Sequence, residues 1–359
     1  MTSRERVTAW LRHEIPDRMG IYEHFWGETL RDSWAQEGYP KDTDPAEFFD
    51  YDMQYGVWGS FDTTPFLGEP EVLEESDAWQ VTRDGYGATL KYWKTKDGTP
   101  QHLGFTVTTP AEWQPYREAL LATDPSRLKI EETRAGLARV REQGRFALVN
   151  GSLFVGQLQG LLGDLVYLPA LLQEPDWIHE INRTFIDFYQ RHFALLFAEA
   201  GPPDGMFVYD DLAFRNGPFF SPQVCREMFL PYMREMVGFF HDHGVPVILH
   251  TCGDVRKLVP MVLEAGFDCL QPMEAKAGCN VVEFAETYGS QIAYMGNMDV
   301  TVLNTNDRTR VREEIVGKLE ALKRLRVPYF FHSDHSIPPD IRLATYQYAL
   351  ELFREHGTY

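Results

Sequence analysis

The sequence is poor in cysteine, with four in 359 residues. That is too few for the disulfide framework that staples small secreted domains, and it points to a reducing cytoplasm. Basic residues are outnumbered: 34 lysines and arginines face 53 aspartates and glutamates, for a net charge of −19. A chain so acidic lacks the basic stripes that bind nucleic acid, and it is repelled by anionic membrane surfaces. Long apolar runs are missing too. The most apolar segment, residues 161–172, is interrupted by Asp164 and Pro169 and is too short to cross a bilayer. Charged residues follow Met1 with no apolar stretch behind them, so no signal peptide is expected. No G-x-G-x-x-G fingerprint, internal repeat or low-complexity linker occurs. What remains is 44% hydrophobic, enough for the core of one large α/β domain or two smaller ones.

The N-terminal third is irregular. Residues 2–11 read as a short helix, 19–22 as a strand, Asp44-Pro45 as the start of a helix through Phe48 and Phe49, and 53–58 as a weak strand. Residues 79–94 form a hairpin excursion around Asp84-Gly85, with Asp97-Gly98 after it; Asp-Gly supplies the positive φ of a tight turn. A helix is expected from Asp124-Pro125 through Val140. From there strand and helix alternate. The strands are 146–151, 205–211, 245–249, 268–272, 292–296 and 327–331; the helices are 161–172, 175–200, 221–243, 255–264, 281–288, 308–325 and 343–356. Ser221-Pro222 is an N-cap and first-turn pair, and Pro231 should kink the helix it opens. Such alternation means a parallel sheet with crossover helices. With the two weaker N-terminal strands the count is about eight, the number that closes a (β/α)8 TIM barrel; an open doubly wound sheet is the competing fold.

Polar residues gather at the strand ends: Asn150, Asp210, Asp211, His250, Cys252, Gln271, Glu274, Asn297, Asp299, His332, Asp334 and His335. In a TIM barrel that face carries the chemistry. His250 and Cys252 stand two apart after an apolar strand, so their side chains point the same way. Imidazole and thiolate are ligands that suit zinc, although a lone pair of them is only half a site. His335 or Asp334 could supply a third ligand, and Glu274 or Asp299 a fourth or an outer carboxylate. Asp210, Asp211 and His335 are the candidate acids and bases, with helix capping as the plainer role for the aspartates. His332 and His335 could equally hold a loop by hydrogen bonds. Tyr22, Trp26, Asn150, Asn297 and Asp299 are candidates to line a substrate pocket, within an N-terminal third crowded with aromatic residues.

The line from Asp204 through Cys252 to Pro339, with the opening Arg4-Glu5-Arg6-Val7 and Ile15-Pro16-Asp17-Arg18, resembles the uroporphyrinogen decarboxylase superfamily. That superfamily holds the decarboxylase and cobamide-dependent methyltransferases acting on coenzyme M. The resemblance covers nearly the whole chain and implies a single TIM-barrel domain over residues 1–359. The decarboxylase's arginine-bearing loop is not matched: no arginine lies between Arg18 and Arg31, and no acid lies within residues 53–59. His250-Thr251-Cys252 matches the first part of the methyltransferases' zinc motif. His335 falls where those enzymes have cysteine and the decarboxylase has histidine. The resemblance therefore implies a zinc-dependent, methyltransferase-like enzyme with His250, Cys252 and His335 as ligands. A corrinoid, on a partner protein, would carry the methyl group; the other expected partner is a small-molecule substrate, and a homodimer is the assembly to consider. A decarboxylase for another carboxylated substrate, using His335 with Asp210 or Asp211, and a non-catalytic tetrapyrrole binder are the alternatives.

Overall fold

The computed structural model describes residues 1–95 and 98–359; Asp97 of the expected second turn lies outside them. Eight short parallel strands form one sheet: β1 Gly20–Ile21, β2 Met53–Tyr55, β3 Phe146–Gly151, β4 Gly205–Tyr209, β5 Val247–Thr251, β6 Cys269–Pro272, β7 Ala293–Met295 and β8 Tyr329–Phe331. Their order is β1-β8-β7-β6-β5-β4-β3-β2. The strands are apolar on both faces because helices cover the outside and side chains fill the inside. The ends of this order meet at one residue. Asp52 N–H donates to Ile21 O at 2.9 Å, and Ile21 N–H donates back to the Asp52 carboxylate at 2.9 Å. The sheet is therefore a TIM barrel. The Asp52 carboxylate, fully buried, also takes bonds from Arg6, Arg18 and Ser3 at 2.7–3.0 Å. This knot lies at the foot of β2, away from the strand C-termini.

The chain departs from the expected elements where local chemistry intervenes. The excursion is a four-stranded antiparallel sheet over Glu71–Glu75, Trp79–Arg83, Ala88–Trp93 and Gln101–Phe105. Its positive φ falls on Gly87 (φ +81°), not on Gly85, while Asp84 accepts from the backbone N–H of Tyr86 and Ala88. Gly85 is instead where the backbone passes against Phe66 O, leaving no room for a Cβ. The apolar segment around 161–172 is two helices, Val155–Leu162 and Asp164–Gln173, bent by 115° at Gly163 (φ +68°). No single helix is long and apolar enough to cross a membrane among the described residues. The helix opened by Ser221 does cap on Val224 N–H, but it breaks at Phe229, so Pro231 begins the second helix, Leu230–Asp242, in its first turn. Residues 124–140 likewise divide into a 3-10 turn, Pro125–Arg127, and a helix, Ile130–Glu142.

Candidate functional site

Strand β5 delivers His250 and Cys252 to the barrel mouth, and β4 runs out into Asp211 beside them. Cys252 Sγ is 3.5 Å from His250 Nε2, and Asp211 Oδ1 is 3.7 Å from the same nitrogen. One ligand atom from each of the three residues lies within 4.8 Å of the others. His250 Nδ1 sits 2.5 Å from Gln271 Oε1. An amide oxygen only accepts, so Nδ1 carries the hydrogen and Nε2 presents its lone pair to Cys252 and Asp211. Burial lowers the pKa of His250 and keeps it neutral, the form that ligates. Burial, then the neighbouring Asp211 and Glu274 charges, push the Cys252 thiol well up. Such a thiol ionises when a cation is placed next to it. The set of one nitrogen, one sulfur and one carboxylate oxygen, with an amide orienting the imidazole, fits a zinc ion with a position left open.

Asp211, expected among the acids and bases, thus takes the third place in this convergence. His335 and Glu274 stand outside it. Glu274 accepts from Gly253 N–H at 2.7 Å and faces Lys276 at 3.1 Å, so it supports the loop that carries Cys252. His335 is half-buried and stacks on Trp26, ring centroids 6.1 Å apart; its ring has no hydrogen-bond partner among the described residues. It is free to meet a ligand, and Trp26 is beside it. Asp210 is fully buried and accepts from Leu153, Phe154 and Gly156 N–H at 2.8–2.9 Å, ordering the entry to Val155–Leu162; burial pushes its pKa up to about 6. Asp334 is similarly occupied by Val300 and Ala275 N–H.

Three residues expected to contact substrate make hydrogen bonds to the backbone. Asn150 accepts from Gly59 N–H at 2.9 Å. Asn297, fully buried at φ +69°, donates to Met273 and Cys279 carbonyls and accepts from Val281 N–H. Asp299 caps the helix Val300–Leu303 through Thr301 N–H at 2.7 Å. The Asp299 bond is the local helix cap that aspartate favours, whereas Asn150 and Asn297 tie together loops distant in the chain. Tyr22 is a core residue whose ring meets those of His24, Tyr51 and Tyr55. It also lines a cavity of about 230 Å³ together with Glu23, His24, Tyr55 and Trp58.

A second polar group was not anticipated. His24 follows β1 and His332 follows β8, and these strands are neighbours only because the barrel is closed. His24 Nδ1 is 2.9 Å from His332 Nε2, and Tyr209 OH is 2.8 Å from His24 Nε2. Tyr55 OH lies 2.9 Å from Tyr209 OH, whose ring stands 4.9 Å from that of His250. Glu23 is buried beside them, 3.3 Å from His332 Nε2, and receives Ser333 N–H, Ser333 Oγ and His24 N–H. Burial outweighs those bonds and pushes Glu23 up to about 8. The adjacent Glu23-His24 pair at a strand end was the available signal.

A stability consequence follows. Glu23 binds a proton more tightly folded than unfolded, so its contribution is complete below its ordinary value of 4.5 and is lost as pH rises to about 8. Glu23→Gln has no such proton to lose. Relative to wild type, this variant should gain about 1.4 kcal/mol for each pH unit raised within that window and level off above it. Denaturant unfolding midpoints measured across the window check this; a constant difference would contradict it.

A family model described as uroporphyrinogen decarboxylase (URO-D) matches residues 166–356, more than half of the chain. The chain belongs to the uroporphyrinogen decarboxylase family. Two relatives named uroporphyrinogen decarboxylase, both from Pseudomonas fluorescens, align over shorter stretches. The protein of strain SBW25 is 34% identical over 125 residues, covering 34% of either chain. That of strain Pf-5 is 32% identical over 130 residues, covering 35% of either chain. The alignments thus span about a third of the length of these relatives. A solved structure described as a methyltransferase from Methanosarcina mazei superposes with a TM-score of 0.69 at 17% identity, covering 99% of each chain, and so shares the fold. Asp211, His250, Cys252 and His335 lie inside the matched family segment, whereas Glu23, His24 and Tyr55 precede it.

Proposed function

We propose that this member of the uroporphyrinogen decarboxylase family is a zinc-dependent, methyltransferase-like enzyme that moves a methyl group between a small-molecule heteroatom and a corrinoid. The observation that carries the reading is the convergence of Asp211, His250 and Cys252 at the barrel mouth, with Gln271 turning His250 Nε2 towards the other two. When bound there, zinc supplies a Lewis acid that lowers the pKa of a coordinated thiol or hydroxyl. The protein's own residues do the rest. Gln271 fixes the imidazole, and Cys252 N–H holds Asp211 Oδ1 at 2.8 Å, so two of the three donors are oriented in advance. Trp58, 58% exposed, packs on Tyr55 and Tyr209 with ring centroids 5.0 and 5.5 Å apart and walls the site with aromatic surface. His335 and Trp26 face a ligand from the β8 side. The Methanosarcina neighbour, a methyltransferase, supports the same class of reaction.

The test is zinc content together with methylcobalamin demethylation by a simple thiol. About one zinc per chain and zinc-dependent loss of the methyl group are expected; full activity in metal-free protein would overturn the reading. His335→Ala should keep its zinc, because His335 lies outside the converging set, and lose most activity. Parallel loss of zinc in this variant would return His335 to the ligand set.

Uroporphyrinogen itself should not be decarboxylated at a useful rate. An eight-carboxylate substrate needs arginines at the mouth. Arg18 is instead bound to Asp52 at the foot of the barrel. Chromatography of products after incubation checks this, and coproporphyrinogen formed at an ordinary turnover rate would refute it.

A further inference from the structure

The cavity that Tyr22 and Trp58 line lies between the C-terminal ends of β1 and β2 and the short helix Pro45–Phe49. It measures about 230 Å³, and the rings of Tyr22, Phe25, Tyr51, Tyr55 and Trp58 form much of its wall. Two of its polar groups are left over by the fold. Gln54 is 7% exposed, and its side-chain amide makes no hydrogen bond among the described residues. Tyr22 is also 7% exposed, and its hydroxyl has no partner among them either. Buried groups of this kind carry a desolvation cost that a ligand bonded to them recovers. The ionisable lining is acidic. Glu23 is buried in the wall, Asp44 stands exposed at the rim, and no lysine or arginine lines the cavity among the described residues. Asp44 already caps the helix through Ala46 N–H at 2.7 Å, so the helix start offers nothing to an anion.

We propose that this cavity is a binding site for a small organic ammonium ion. An anion would meet two carboxyl groups and no counter-charge, and a wholly apolar guest would leave Gln54 and Tyr22 unpaired. A bare metal ion would face mostly ring carbons, which are not ligands. A methylated ammonium ion matches each part of the lining. Aromatic faces attract its charge, its N–H donates to the Gln54 amide oxygen or the Tyr22 hydroxyl, and a carboxylate balances it. Without a cation beside it, Glu23 keeps its proton, because burial outweighs its bonds from Ser333 and His24. His24 and His332, held neutral by burial, and Asp334, Tyr22, Tyr51, Tyr329 and Tyr346 are the titratable groups around it. A bound ammonium ion takes the place of that proton: Glu23 ionises, the proton leaves to solvent, and the pair is neutral. Tyr55 and Trp58 wall both this cavity and the mouth, so the ion sits beside the metal cluster and not on it. The inference does not draw on the methyl-transfer reading and can fail or stand without it.

The experiment is isothermal titration calorimetry of the full chain near neutral pH, in about 0.15 M salt to screen the exposed acidic surface. The probes are trimethylammonium, its neutral analogue tert-butanol, and acetate. About one trimethylammonium ion should bind per chain with release of about one proton, read from the dependence of the heat on the buffer. tert-Butanol should bind ~10-fold more weakly, and acetate should not bind. Glu23→Gln should abolish the proton release and weaken trimethylammonium ~10-fold. Tyr22→Phe deletes only a hydroxyl that the fold does not use, so the chain should fold as before, and it should weaken binding ~3–10-fold. Denaturant unfolding of both variants verifies the fold. Lack of saturable trimethylammonium binding up to about 100 mM would overturn the proposal. So would equal binding of tert-butanol, or wild-type affinity in both variants.

Discussion

Asp52→Ala should destabilise the protein by ~3–5 kcal/mol, the cost of removing one partner from a buried ion pair. The carboxylate is fully buried, and it binds Arg6, itself almost buried and shared with Asp17, and both terminal nitrogens of Arg18. Without it Arg18 loses its carboxylate partner, Arg6 is left with Asp17 alone, and Ile21 N–H loses its acceptor. The damage falls on the seam between β1 and β2, where no other ladder joins the two strands. Asp52→Asn keeps an acceptor for Ile21 and should fall between wild type and alanine. Denaturant midpoints decide the matter, and a change below about 1 kcal/mol would show that the seam is held by packing alone. Zinc content should be unaffected, because Asp52 precedes β2 whereas His250 and Cys252 lie at the C-terminal end of β5.

His250→Ala is expected to reduce zinc to background and abolish methyl transfer while leaving the fold intact. The imidazole is the only nitrogen among the converging donors, and its loss leaves a thiol and a single exposed carboxylate. Gln271→Leu separates binding from orientation. It removes the acceptor that fixes Nδ1–H, so zinc should bind ~10–100-fold more weakly while all three donors remain. Competition with a chelator of known affinity measures both variants. Wild-type affinity in Gln271→Leu would mean that the amide contact does not set the ring.

The strand-end cluster of β5 was legible because the period of a strand is two, which sends His250 and Cys252 to one side whatever surrounds them. The barrel was legible for a related reason: apolar strands alternating with amphipathic helices admit few arrangements. Local turn chemistry was less so. Asn150, Asn297 and Asp299 look like substrate contacts in a list of polar strand ends, yet each bonds the backbone: Asp299 caps its own helix, and the two asparagines hold the backbone of distant loops. An amide or carboxylate at such a position can face either way, and only the neighbouring N–H groups decide.

The sequence by itself determined the composition class, the alternating elements and the nearness of His250 to Cys252, since each depends on residues close in the chain. The tertiary structure decided which third side chain stands beside them. Asp211 is 39 residues from His250, and it arrives because β4 and β5 pair with His250 opposite Tyr209. It also decided the Glu23, His24 and His332 group, in which the adjacent pair Glu23 and His24 stands some 300 residues from His332 and meets it only when β1 closes against β8. Contacts of that kind depend on barrel closure, and closure is a property of the whole sheet that no local window of sequence contains.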